Sequence, residues 1–156
     1  MKIGNGHGLP FLISFLLFVF YPHVGHGFTL ITPEEAAQAD VPLLRGRGIE
    51  CSRFEGNGPQ IKITSPKLDE PLLTPFVVDI AFEAFSNKII DYESLRIKYL
   101  RLVPIDLTSR VKPYLNNNRL MLKGVKVPQG RHCLQLLISY TSGEKTLMEI
   151  VLNVEK

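Results

Sequence analysis

Through residues 60–156 apolar and polar side chains alternate with a period of two, in short runs broken by turn residues. Alternation of this kind puts one set of side chains on a buried sheet face and the other toward solvent. "QIKIT" sets Ile61 and Ile63 against Lys62 and Thr64. "PFVVDIAFEA" sets Val78, Ile80 and Phe82 against Val77, Asp79, Ala81 and Glu83. "SLRIKYLRLV" turns Leu95, Ile97 and Tyr99 inward, then shifts to Leu100 and Leu102, which predicts a bulge near Tyr99. One helical turn is expected over 91–96, before that strand. "IDLTSRVKPYL" reads as a weaker strand, and Pro113 places it at a sheet edge. "NRLMLKGVKV" follows the turn "NNN". "RHCLQLLISY" and "KTLMEIVLNVEK" alternate around a "SGE" hairpin turn. Their inward set is Leu134, Leu136, Ile138, Met148, Ile150 and Leu152. About seven short strands with no long amphipathic helix predict an all-β fold, an antiparallel sandwich, with a small barrel as the alternative.

Residues 28–58 lack this period and read as an N-terminal arm. "TPEEAAQAD" carries helix-start chemistry, with Thr32 as the cap, Pro33 at the first helical position and Glu35 at the third. A short helix is expected near 33–39. The glycines and prolines of "VPLLRGRGIECSRFEGNGPQ" then exclude a regular element, and the sandwich is expected over 59–156.

The first 27 residues follow a different pattern. Lys2 precedes "LPFLISFLLFVFY", an apolar run at residues 9–21. That run is short of the roughly 20 residues of a spanning helix. It matches the core of a secretory signal peptide. Gly25 and Gly27 supply small residues for cleavage after Gly27. An uncleaved membrane anchor is the alternative. Cleavage would remove Lys2, His7, His23 and His26 together, leaving His132 as the remaining histidine. The chain would then be exported, periplasmic or extracellular, with no stable membrane span.

Charge narrows the function classes. The whole chain carries a formal +3 at pH 7, without a Lys/Arg block of the kind that marks nucleic-acid binding. Two cysteines, Cys51 and Cys133, remain after cleavage. An even count in an exported chain favours a disulfide, whereas two free thiols would require a reducing compartment. A zinc set would need ligands beyond these cysteines and His132. No cofactor is expected.

Candidate chemistry is sparse. A nucleophile–histidine set needs its histidine, and His132 alone stays in the chain. By alternation it faces the side of Leu134, as a half-buried residue at a strand end. Asp69/Glu70 and Asp91/Glu93 are carboxylate pairs that read as surface loops. "RGRG" at 45–48 lacks the strand and helix context of a phosphate loop. Arg96, Lys98, Arg110 and Lys112 fall at period-two spacing on two successive predicted strands. They are candidates for a cationic stripe facing a carbohydrate or anionic polymer. Leu137, Leu147 and Val151 fall on the face that should be polar, an apolar patch that needs cover. The arm, with Phe28, Leu30, Ile31, Val41, Leu43 and Leu44, is expected to lie across this face, pinned by Cys51–Cys133.

"VPQGRHCLQLLISYTSGEKTLMEIVLNVE" resembles the last two strands of bacterial immunoglobulin-like modules. "GPQIKITSPKLDEPLLTPFVVDIAFEA" is similar to their opening strands. The resemblance implies an exported immunoglobulin-like β-sandwich. It carries no ligand, because fold does not assign function. The chain is also distantly similar to periplasmic copper-resistance sandwich proteins. That resemblance implies copper ligands at the mature N-terminus and in the turn at 141–144. Phe28 and "TSGE" stand there instead, so no metal is expected. The expected function is a non-enzymatic binding or assembly module of the bacterial cell envelope. Its partner would be an envelope protein or, alternatively, an envelope polymer.

Overall fold

The computed structural model describes residues 27–39 and 51–156. Ten strands among them form two sheets. The larger contains β1 (Phe54–Gly56), β10 (Lys145–Glu155), β9 (Gly130–Tyr140), β5 (Ile90–Tyr99) and β6 (Ile105–Asp106) in that spatial order, and β3 (Leu72–Leu73) runs parallel to the end of β10. The smaller orders β2 (Gln60–Ser65), β4 (Phe76–Glu83), β8 (Arg119–Val125) and β7 (Leu115–Asn116). Pairing is antiparallel apart from β3 and one bridge, Thr29 to Lys126.

The two sheets face each other across one core. Ile80 and Phe82 of β4, Leu120 and Leu122 of β8, and Leu136 and Ile138 of β9 all bury there. These are the inward positions of the alternating runs, and full burial of each large apolar side chain contributes about 1.5–3 kcal/mol. Strands β9 and β10 register from Lys145–Ser139 to Val154–Gly130 without a break. Their turn closes with Gly143 at φ +99, a conformation open to glycine at little cost. Gly58, between β1 and β2, passes so near β10 that an added Cβ would lie 2.5 Å from the Lys145 carbonyl carbon.

Three local expectations change. The irregular register of β5 lies between Asp91 and Arg96, not at Tyr99. There the Ser94 hydroxyl accepts the Ser139 N–H (2.8 Å), standing in for a strand carbonyl, and no helical turn forms. Tyr99 instead ends the strand, and the following turn carries Leu102 and Val103 outward. "IDLTSRVKPYL" is not one edge strand. It forms β6, then α2 (Thr108–Val111), a 3-10 turn at Lys112–Tyr114, and β7. Leu107 and Val111, four residues apart, both bury, and a helical turn is what brings that spacing to one side. The Asp106 carboxylate accepts the Thr108 N–H at 2.8 Å and starts the turn.

Segment 27–39 enters the sandwich instead of crossing its outer face. Lys126 N–H donates to the Phe28 carbonyl (2.7 Å), and Leu30 N–H donates to the Lys126 carbonyl (3.0 Å). Leu30 and Ile31 are 3% and 1% exposed. Leu30 borders a small interior void shared with Ile80, Leu120, Leu136 and Ile150, residues of both sheets. The helix α1 (Pro33–Ala36) is a single turn, shorter than 33–39, with the Thr32–Glu35 capping box at its start. Residues 1–26, which hold all but the last residue of the expected signal peptide, and Val41, Leu43, Leu44, Arg45 and Arg47 lie outside the described residues.

Candidate functional site

The outer face of the larger sheet is built by the outward positions of β5, β9, β10 and β1. Strand register places Arg96, Leu137, Leu147 and Glu55 in one row across it. Lys98, Gln135 and Glu149 form the next row, where the Gln135 amide donates to Glu149 Oε1 at 3.0 Å. Cys133 and Val151 pair in a third. Leu137, Leu147 and Val151 are each half-buried.

Cys51 and Cys133 form a disulfide with Cα atoms 5.9 Å apart. Cys133 is on β9, while Cys51 leads into β1 beyond β10. The bond therefore straps the chain over β10 beside Val151. Cys51 is buried, and its Sγ lies 3.1 Å from the Ile150 carbonyl oxygen. A bonded sulfur carries no proton, so this is a packing contact. A groove of about 490 Å³ opens alongside, lined by Cys51, Ser52, Leu68, Arg131, Glu149 and Val151. The strap covers the Val151 end. Leu137 and Leu147, farther along the strands, keep an apolar centre between Arg96 and Glu55.

The cationic stripe does not assemble. Arg96 and Lys98 share the outer face of β5, but Arg96 turns its Nη1 to the carbonyls of Glu93 and Leu95, both at 2.7 Å. Arg110 and Lys112 lie on the helical connection. Arg110 donates to the Leu30 carbonyl (2.8 Å) and to both Glu35 oxygens (2.8 and 2.5 Å). Lys112 pairs with Glu93. The stripe needed one continuous strand over 105–115, and that strand is absent.

His132 is 2% exposed, deeper than a half-buried strand end. Its Nε2 is 2.8 Å from the Pro128 carbonyl oxygen and its Nδ1 is 2.9 Å from the Tyr99 hydroxyl. A carbonyl accepts, so Nε2 carries the proton. Nδ1 of the neutral ring then accepts from Tyr99. Burial holds the His132 pKa below the ordinary histidine value. The Arg101 charge pushes the same way, against the Pro128 hydrogen bond. Burial, with the Glu35 charge adding, lifts the Tyr99 phenol to about 12. Arg101 stacks its guanidinium 4.6 Å from the Tyr99 ring centre and donates Nη2–H to the Ala36 carbonyl at 3.0 Å.

Alternation had turned Tyr99 and His132 inward, and only the pairing of β5 with β9 makes them neighbours. Buried polar groups find partners, so a partner for His132 was to be expected, but its identity needed the sheet order. Arg101 and the Glu35–Arg110 pair had no such signal, because turns and the fold of segment 27–39 bring them together.

No helix among the described residues is long and apolar enough to cross a membrane. No family model, curated protein or solved structure matches the chain.

Proposed function

We propose that this chain is an exported, immunoglobulin-like β-sandwich of the bacterial cell envelope that acts by binding another protein and not by catalysis. The observation that carries this reading is the Leu137–Leu147 pair. It stays half-exposed at the centre of the larger sheet's outer face, with Arg96 and Glu55 at its rim. An apolar centre inside a polar rim is the common anatomy of a protein-binding patch.

The signal-type leader and the Cys51–Cys133 disulfide support export, since disulfides persist in oxidising compartments. The non-enzymatic part is supported by His132, whose two ring nitrogens are both engaged in the interior. The polymer-binding alternative would rest on Arg96 and Lys98, because Arg110 and Lys112 are paired with Glu35 and Glu93.

The test compares wild type with Leu137→Asp as bait in crosslinking to envelope extract. A crosslinked protein that is lost in Leu137→Asp, and that resists moderate salt, supports the reading. Equal crosslinking by both chains rejects this face. Binding that collapses as salt rises points to the polymer instead.

A further inference from the structure

The buried polar cluster lies directly under α1. Among the described residues, three polar contacts tie α1 and its following residues to the sandwich. Arg101 donates to the Ala36 carbonyl, Leu102 N–H donates to the Ala39 carbonyl at 3.0 Å, and Arg110 pairs with Glu35. No residue within α1 is itself buried. Ala36 packs half-buried against the core, polar contacts supply the rest of the helix's attachment, and Leu30 and Ile31 anchor the chain before it.

Two of those contacts come from the turn that leaves Tyr99. Tyr99 in turn donates to His132, so His132, Tyr99, Arg101 and Ala36 form one connected series. A proton on Nδ1 of His132 reverses the Tyr99 bond. The hydroxyl must turn to accept, and its own proton loses its acceptor in a buried site. The new imidazolium also adds a second cation to a pocket that already holds Arg101.

Among the described residues, none of the other groups around His132 supplies a free carboxylate to it. Leu152, the cross-strand partner on β10, is apolar. Lys126, in the connection that carries Pro128, runs against Gly27. On α1, Glu35 is committed to Arg110 of α2, and that hydrogen bond holds its carboxyl below the usual range. The cheapest relief is to admit water by lifting α1.

We propose that His132 is an acid-sensitive latch: protonating it loosens α1 from the sandwich while Leu30 and Ile31 stay seated. This is a local opening of a weakly buried element, of the kind native proteins reach below the global unfolding free energy.

The experiment follows the full chain by NMR from pH 7.5 to 4.5. It reads the His132 Hε1 shift, the Ala36 methyl shift and exchange protection of the Leu102 amide, corrected for intrinsic exchange. His132 and Ala36 should move with one midpoint, below the ordinary histidine value. The opening constant at Leu102 should rise about tenfold per pH unit between that value and the midpoint. Tyr99→Phe removes the bond that favours neutral His132, so both midpoints should climb together. In His132→Gln the Ala36 transition should vanish. The idea is overturned if Ala36 stays still while His132 titrates. It is equally overturned if Ala36 moves only with Glu35, or if Tyr99→Phe shifts one midpoint without the other. The Tyr99→Phe comparison decides the matter if His132→Gln does not fold.

Discussion

Arg110 grips Glu35 with both ends of its guanidinium, across 75 residues of chain. The same arginine holds the Leu30 carbonyl. One side chain on a helical connection thus fastens segment 27–39 at two points. Both partners are part-exposed, so solvent screening limits the pair to about 1 kcal/mol despite its forked geometry. A double-mutant cycle with Glu35→Gln and Arg110→Met, read by urea unfolding, should return a coupling of that size. A coupling indistinguishable from zero would mean that α1 is held by other contacts.

Leu30, expected to cover the outer face around Leu137, packs on the other side of the larger sheet. Leu30 sits in the core, so Leu30→Ala should cost about 2–4 kcal/mol through lost burial and a cavity. Leu137→Ala, on the half-exposed face, should cost roughly 1 kcal/mol or less. Equal costs in thermal unfolding would contradict the insertion of segment 27–39.

The disulfide closes a sequence separation of 82 residues. Replacing both cysteines by serine should destabilise the chain by about 2–5 kcal/mol. Reductant should lower the wild-type Tm and leave the double-serine variant unmoved. An unchanged wild-type Tm under reductant would show that the strap contributes nothing.

Acid should weaken the fold in two stages. The folded His132 pKa is lowered, so the unfolded chain takes up its proton first. Stability is whole above about pH 6.5 and declines as pH falls below that toward the folded value. Glu35 is also lowered, chiefly by the Arg110 hydrogen bond. Its contribution is present above about pH 4.5 and is lost as pH falls through the folded value. Urea midpoints from pH 8 to 3 should show both declines, and His132→Gln should erase the first alone.

Tyr99→Phe removes the proton donor from His132 Nδ1 and leaves a buried acceptor without a partner. The expected cost is about 1–3 kcal/mol at pH 7. A loss well under that range would mean that another donor reaches the ring.

Much of the sandwich is legible in local pattern. Val78, Ile80 and Phe82 bury while Lys62 and Glu83 stay outside, because a strand's side chains must alternate wherever one face is covered. The rule failed at 105–115, where Leu107 and Val111 share a face at helical spacing although the segment scans as a strand. It also misplaced the bulge in β5, where a serine hydroxyl replaces a backbone partner.

By itself the sequence determined the inward residues of β4, β9 and β10, favoured the cysteine pair, and marked the Thr32–Glu35 cap that starts α1. Each depends on spacing within a few residues or on cysteine count. Tertiary structure decided where segment 27–39 goes. Leu30 and Ile31 are apolar enough to cover an outer face or to fill a core, and local pattern cannot choose between them. The sandwich chooses, because the Lys126 backbone and Arg110 offer partners for the segment's own polar groups where its two apolar side chains can leave water.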